Sequence, residues 1–437
     1  MANPEAQRVD HPRVIVHAMI AGLICAISIS MLSSTFSVDL LDPFLWDAYF
    51  GSDLPRNLDD LLSPAVTYRF GASPRHPLVR LLFFPLGSLL HHGLGLAPVA
   101  IFRALLTTNA FLWGGLLFLL CRHVTRRSLD AFVLTALALS SAASMFWLAT
   151  PETFAFGSTT ILAAMFVLAC TRVGESSVAH VLLQLATLSI TVTNWMAGVM
   201  AGLSRIGVAR TVRATMLTAA LAAALFTLQA AVIPRAGPLA NPIDYLRRGG
   251  TAKTWSSDSN FVNRLPLHVT LDRFFLTPLS PLRFEHCILP LGDPWPPADF
   301  PSLTLPPCET APVEIVNPPL FAGRLKAIPW LAWSVLLAAG LIGATGAFTR
   351  SPLARVMLLF VAGQLALHLV YGHEIFLYSV HWQPVLVIVT GYALASRWRM
   401  VALSIAALLA VHNGVVNVAM FLDAARIAQG FGAYIPR

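Results

Sequence analysis

The sequence predicts an all-α membrane protein that crosses the bilayer many times. Of its 437 residues, 56% are hydrophobic and 11% are charged, whereas soluble domains usually carry about 25% charged residues. Apolar runs of roughly 20 residues, the length that a helix needs to cross a bilayer, recur along the chain. The net charge of +8 comes largely from arginines in short clusters between those runs, which indicates a topology signal rather than a nucleic-acid surface.

The apolar runs predict about eleven transmembrane helices. The first run, 14–36, follows a basic segment and has no clear cleavage site after it, so we expect a retained anchor with a cytoplasmic N-terminus. The other candidate spans are 99–120, 129–149, 152–170, 178–193, 194–209, 211–233, 328–347, 355–371, 380–396 and 400–421.

Segment 78–95 is left out of this count. If it crossed the membrane, the arginines at 122, 126 and 127 would lie outside, against the positive-inside tendency. We therefore expect a re-entrant or interfacial segment. The alternative is that 78–95 does cross and that 178–209 forms one helix.

The chain divides into three parts by this reading. Residues 1–233 form an N-terminal transmembrane module with a first external loop at 37–77, residues 234–327 form a Pro-rich external loop, and residues 328–437 form the C-terminal helices. Cys287 and Cys308 share the Pro-rich loop, where an oxidising compartment would permit a disulfide that no sequence rule fixes. No cysteine spacing indicates zinc, and no cofactor is expected, although a divalent metal is left open.

The first external loop contains the stretch "YFGSDLPRNLDD", residues 49–60. Asp53 suits a helix N-cap and Pro55 suits the first turn, while the leucines that follow repeat at helical spacing along one face. The opposite face holds the charged and amide side chains. This pattern predicts an amphipathic helix lying in the membrane surface.

A carboxylate at the start of such a helix, held at the lipid boundary, is placed to act as a general base. Asp53 is therefore the candidate catalytic residue. Asp59 and Asp60 are alternatives, although they also suit the solvated face of the helix. Arg75 and His76, in "SPRHPLV", offer donors for a phosphate.

Two further segments interrupt apolar runs with polar groups. In "ATPETFAFG", Thr150 suits a helix cap and Pro151 a first helical position, so Glu152 would meet the positive end of the helix dipole. Glu152 is also a supporting site candidate, because ionisable groups near membrane depth are often functional. In "TVTNW", Asn194 and Trp195 either contact a sugar or form a helix turn with an interfacial tryptophan.

The last polar segment is "YGHEIFLYSVHWQP", 371–384. If it is helical, Glu374, Tyr378 and His381 lie on one face and could contact a headgroup or a phosphate. His373 and His381 are candidate phosphate ligands. The sequence shows no third ligand at a suitable spacing, so the pattern does not indicate that these histidines bind a metal.

In the order of these motifs the chain resembles the type C glycosyltransferase superfamily, and in particular its protein-mannosyltransferase-like bacterial branch. The resemblance rests on "GSDLPRNLDD" after a first span, then "RHPL", "PET" and the late segment "YGHEIFLYSVHWQP". The tandem acidic pair common in that branch is not found at Asp53, and the only adjacent pair is Asp59–Asp60.

The resemblance implies a hexosyl or pentosyl transferase that uses a polyprenyl-phosphate sugar and a glycan, lipid or protein acceptor. It implies a multi-pass protein of the bacterial inner membrane with its active site on the periplasmic side. Asp53 maps best onto the base that activates the acceptor, and the donor phosphate maps onto Arg75, His76, His373 and His381. Asn194, Trp195, Glu374 and Tyr378 are the candidate substrate contacts.

Two other functions remain open at this point. A lipid-linked oligosaccharide polymerase or ligase would share the donor type and would suit the arginines of the Pro-rich loop. A secondary transporter is disfavoured, because no inverted repeat is evident and most acids fall outside the spans.

Overall fold

The computed structural model describes residues 12–36, 38–41, 52–62, 76–171, 177–233, 265–280, 284–286, 313–315, 327–370 and 375–431. All structural statements below concern these residues. Cys287 and Cys308 lie outside them, as do most of the first external loop and most of the Pro-rich loop.

Nearly every described element is a helix. The helices before residue 234 are α1 (Pro12–Ser34), α2 (Leu54–Leu62), α3 (Val79–Ser88), α4 (Pro98–Thr125), α5 (Ser128–Leu139), α6 (Ala142–Ala149), α7 (Phe154–Cys170), α8 (Ser177–Ile190), α9 (Trp195–Arg205) and α10 (Val208–Val232). Those after it are α11 (Leu267–Phe275), α12 (Ala327–Ala347), α13 (Pro352–Val370), α14 (Ile375–Tyr378), α15 (Gln383–Leu394) and α16 (Arg399–Phe431).

Short irregular elements complete the described chain. Turns of 3-10 helix lie at Val38–Leu41, Val192–Asn194 and Ser379–His381, and a π turn lies at Leu89–Gly93. Strands β1 (Phe284–His286) and β2 (Val313–Ile315) pair antiparallel, with Glu285 opposite Glu314.

The structure is that of an all-α polytopic membrane protein. Among the described residues, six helices are long and apolar enough to cross a bilayer, and the count rises to eight if two bent pairs are each one span. Both bent pairs, α5 with α6 and α14 with α15, change direction at a short break, by 68° and 55° respectively. Each of the eleven predicted spans coincides with a helix or a bent pair, but the number of crossings stays a prediction.

Segment 78–95 forms α3 and the π turn after it, and the ten residues of α3 are too few to cross a bilayer. The polar break predicted at 191–195 is also present. It separates α8 from α9, which have 14 and 11 residues.

Small residues set the closest helix contacts. A Cβ at Gly114 of α4 would lie 2.5 Å from the sulfur of Cys25 in α1, and a Cβ at Gly340 of α12 would lie 2.7 Å from the carbonyl oxygen of Val389 in α15. Without a hydrophobic drive between helices in lipid, such close backbone approach is a main source of packing energy.

A buried ion pair joins the start of α16 to the start of α5. The Asp130 side chain is fully buried, and both of its oxygens accept hydrogen bonds from Arg399, with the Nε–H···Oδ2 bond at 2.8 Å. The bidentate geometry compensates the carboxylate for the loss of water.

Part of the Pro-rich loop is built into the bundle. The ring of Phe274 in α11 is buried and stacks on Trp382, with ring centroids 4.5 Å apart. The indole N–H groups of Trp382, Trp333 and Trp330 donate to the backbone carbonyls of residues 274, 275 and 280. These bonds satisfy carbonyls where the helix ends, so the 265–280 segment is fixed against the transmembrane helices.

Candidate functional site

The candidate site lies where α2 packs against α3 and against the loop between α6 and α7. A Cβ at Gly87 of α3 would collide with the backbone oxygen of Leu61, so the glycine allows the two helices to touch. The apolar side of α2 is buried within the protein, where Leu54 and Leu61 are each 2% exposed, whereas the sequence pattern predicts that this side faces the lipid.

The polar side of α2 is also buried, and the prediction of a solvated face was wrong for it. Arg56, Asn57 and Asp60 are each less than a tenth exposed. Asp60 pairs with Arg80 of α3, and Asn57 donates to the α6–α7 loop, so both have partners far away in the sequence that a local pattern cannot reveal. The helix thus packs against other parts of the protein on both of its faces.

Two carboxylates and two guanidinium groups form a chain of ion pairs. Arg56 Nη1 lies 3.2 Å from Asp53 Oδ2, and Arg56 Nε lies 4.0 Å from Asp60 Oδ2. Arg80 Nε lies 3.4 Å from Asp60 Oδ1. The Asp53 side chain, at 28% exposure, is the most open of the four.

Arg56 has hydrogen-bonding capacity to spare. Its Nη2 group is buried and has no hydrogen-bond partner among the described residues. A buried guanidinium donor without an acceptor costs free energy, so a site that retains one is suited to an anionic ligand.

Glu152 lies beneath this chain of charges, in the loop between α6 and α7. It is 3% exposed, and its Oε2 accepts a hydrogen bond from the side-chain amide of Asn57, which also donates to the backbone oxygen of Pro151. Burial raises the pKa of the Glu152 carboxyl well above its usual value, and the neighbouring Asp53 carboxylate raises it further.

The predicted capping role of this loop was wrong. Thr150 ends α6 instead of starting the next helix, and α7 begins only at Phe154. The side-chain oxygen of Thr150 has no hydrogen-bond partner among the described residues. Glu152 therefore lies before the first turn of α7, and its burial is explained by its contact with Asn57 rather than by helix capping.

The segment before α3 is held by α8 and α10. Gln229 of α10 accepts a hydrogen bond from the backbone N–H of Leu81 at 2.9 Å and donates to the backbone oxygen of Pro77 at 3.2 Å. His76 Nδ1 lies 2.7 Å from the backbone oxygen of Ile190. These bonds position both His76 and Arg80.

Three rings from two distant segments meet on Phe154, the first residue of α7. The centroids of Tyr378, His381 and His76 lie 5.0, 5.6 and 5.9 Å from that of Phe154, all in edge-to-face geometry. The cluster follows Glu152 by two residues, so it adjoins the charged groups.

Asn194 and His381 converge on Gly157, one turn further along α7. A Cβ at that position would lie 2.7 Å from Asn194 Nδ2 and 2.8 Å from His381 Nε2. The two side chains are 0% and 1% exposed. Both amide atoms of Asn194 and the Nε2 of His381 have no hydrogen-bond partner within the described parts of the chain.

The structure thus brings Asp53, Asp60, Glu152, His76 and Asn194 together with His381 and Tyr378. Trp195 points toward α8, where its indole N–H donates to Gln184 at 3.2 Å. Four predicted site residues cannot be placed, because Arg75, His373, Glu374 and the side chain of Asp59 lie outside the described residues.

Sequence reasoning missed Asn57 and Gln229 as parts of the site. Asn57 has a weak local signal, since it follows Asp53 by one helical turn. Gln229 has none, because its two partners lie about 150 residues earlier. Within the described residues, no three His, Cys, Asp or Glu side chains gather as a metal site would require.

No family model, no curated protein and no solved structure matches this chain. The likeness to type C glycosyltransferases therefore rests on the quoted motifs alone.

Proposed function

We propose that the protein is a membrane glycosyltransferase that moves a hexosyl or pentosyl group from a polyprenyl-phosphate donor to an acceptor. The observation that supports this best is the pairing of a partly open carboxylate, Asp53, with a buried arginine, Arg56, that has a donor to spare. Such a transfer needs a base for the acceptor and a cation for the departing phosphate.

Asp53 serves as the base in the proposed reaction. Its carboxylate takes the proton of an acceptor hydroxyl as that oxygen forms a bond with the anomeric carbon of the donor. The bond between the anomeric carbon and the phosphate oxygen breaks, and the electron pair leaves with the polyprenyl phosphate. Asp53 suits this role better than Asp60 or Glu152, which are more deeply buried.

Arg56 serves as the main ligand of the leaving phosphate. Its free Nη2 donor can bind a phosphate oxygen while Nη1 remains near Asp53. Asp60 and Arg80 hold Arg56 in place through the ion-pair chain. His76 adjoins this group, and Arg75 and His373 remain candidate ligands in the proposal.

The membrane setting fits a lipid-linked donor. A polyprenyl tail stays in the bilayer and presents its phosphate near the surface, where α2 and the α6–α7 loop would meet it. We place the site on the periplasmic face of a bacterial inner membrane, with the N-terminus in the cytoplasm, following the distribution of arginines.

The proposal is tested by transfer of radiolabelled sugar from purified undecaprenyl-phosphate sugars to an added membrane extract. Asp53→Asn should abolish transfer, because an amide cannot take the acceptor proton, while binding of the donor persists. Asp423→Asn is the matched control, since Asp423 also pairs with an arginine three residues away but is exposed, at 56%.

Transfer by Asp53→Asn at the wild-type rate would refute the assigned base. The size of the product tests the class of enzyme. Addition of single sugars supports a glycosyltransferase, and growth of long chains on the lipid carrier would point to the polymerase alternative.

A further inference from the structure

We propose that Asn194 and His381, at the side of Gly157, form a neutral subsite for a hydroxyl group of the transferred sugar. The inference rests on the proposed function, and it assigns the sugar of the donor to the space beside Gly157. It starts from three buried polar atoms, two on Asn194 and one on His381, that lack hydrogen-bond partners among the described residues.

His381 presents its Nε2 to the Gly157 position, where that nitrogen is buried and has no hydrogen-bond partner among the described residues. In a neutral imidazole one ring nitrogen carries the proton and the other a lone pair. Nε2 therefore offers one donor or one acceptor at this point, according to the tautomer.

Asn194 supplies the complementary groups. Its Nδ2 is a donor and its Oδ1 an acceptor, and Nδ2 approaches the same Gly157 position as His381 Nε2. A group that donates one hydrogen bond and accepts another satisfies both side chains at once. A hydroxyl group does so with either tautomer of His381, because its oxygen both donates and accepts.

The surrounding elements hold the two side chains in place. Ser158, next to Gly157, donates to the backbone oxygen of Val380 at 2.7 Å, which fixes the turn that carries His381. Asn194 ends the 3-10 turn between α8 and α9. Gly157 is essential to the arrangement, because any side chain there would occupy the point on which both polar groups converge.

The location fits a sugar whose phosphate lies at Arg56. Gly157 follows Phe154 by one turn on α7, and Glu152 precedes Phe154 by two residues and contacts α2 through Asn57. The charged groups and the neutral subsite are thus consecutive along one short stretch of chain. A sugar attached to the phosphate would reach the subsite past the Phe154 ring.

Binding measurements on the full-length protein in detergent test this inference. The probes are undecaprenyl-phosphate mannose, glucose and arabinose, with bare undecaprenyl phosphate as the sugar-free reference. The wild type should bind one of the sugar-linked probes more tightly than the reference. Gly157→Ala should lose that preference, about tenfold if two hydrogen bonds are lost, with no change for bare undecaprenyl phosphate.

Asn194→Leu separates a binding role from a structural one. Replacing unsatisfied polar atoms by an apolar side chain of similar size should leave the melting temperature unchanged or raise it. The same variant should lose the extra thermal stabilisation that the sugar-linked probe gives to the wild type. Gly363→Ala is the control for the glycine substitution at 157, because its new Cβ meets only the flexible ends of the Met196 and Met200 side chains.

Three outcomes would overturn the subsite. They are equal binding of sugar-linked and bare probes by the wild type, equal weakening of both by Gly157→Ala, or a lower melting temperature of Asn194→Leu with unchanged binding. Sugar-selective binding without any transfer would support the subsite and would refute the proposed enzyme activity.

Discussion

Replacing Glu152 by glutamine tests whether the buried carboxyl carries a proton in the folded protein. The side chain is nearly inaccessible, it accepts a hydrogen bond from Asn57, and it lies near the Asp53 carboxylate, so its pKa is raised above the usual range. Glutamine has the shape of the protonated acid and retains an acceptor for the amide of Asn57. It cannot ionise.

The substitution should change how the stability of the folded protein depends on pH. In the unfolded chain the carboxyl titrates near pH 4.3, and in the folded protein it titrates at a higher pH. Between those two values the folded state holds the extra proton, so stability falls by about 1.4 kcal/mol per pH unit as pH rises. Glu152→Gln has no such loss.

Thermal unfolding, followed by tryptophan fluorescence in detergent, measures the difference. The melting temperatures of wild type and Glu152→Gln should be close near pH 4, and the variant should gain an increasing advantage as pH rises. The exposed Asp423→Asn variant should show no comparable trend, because exposed ion pairs contribute little. Parallel curves for wild type and Glu152→Gln across this range would show that the carboxyl titrates normally.

The remaining predictions concern the supports of the site and the fold. Arg399→Ala should lower the melting temperature, since it leaves the buried Asp130 carboxylate without its ion-pair partner, and a second change, Asp130→Asn, should restore much of the loss. Gln229→Leu removes two hydrogen bonds to the start of α3, so hydrogen exchange of that segment, measured by mass spectrometry, should accelerate. Gly87→Ala should separate α2 from α3 and lower both stability and donor binding, whereas Gly346→Ala, with open space around its Cβ, should be neutral in the same assays.

The sequence predicts the helices well because the apolar runs and their breaks are local signals. The start of α2 near Asp53 and the break at Asn194 were both expected from residue patterns, and both are present. The burial of the polar face of α2 was not expected. Asn57 and Glu152 are 95 residues apart. The contact that buries them depends on how the helices pack, and the periodicity of apolar residues along one helix carries no information about that packing.

The charge balance of the site links donor binding to the activity of the base. Asp53 and Asp60 face Arg56 and Arg80, so with Glu152 protonated the group carries no net charge. A phosphate bound at Nη2 of Arg56 shares that guanidinium with Asp53, whose carboxylate stays at Nη1, so two negative charges lie close together and repel each other. Asp53→Asn removes that repulsion. The variant should bind bare undecaprenyl phosphate at least as tightly as wild type in a direct binding titration, and weaker binding would mean that Asp53 instead holds Arg56 in its phosphate-binding position.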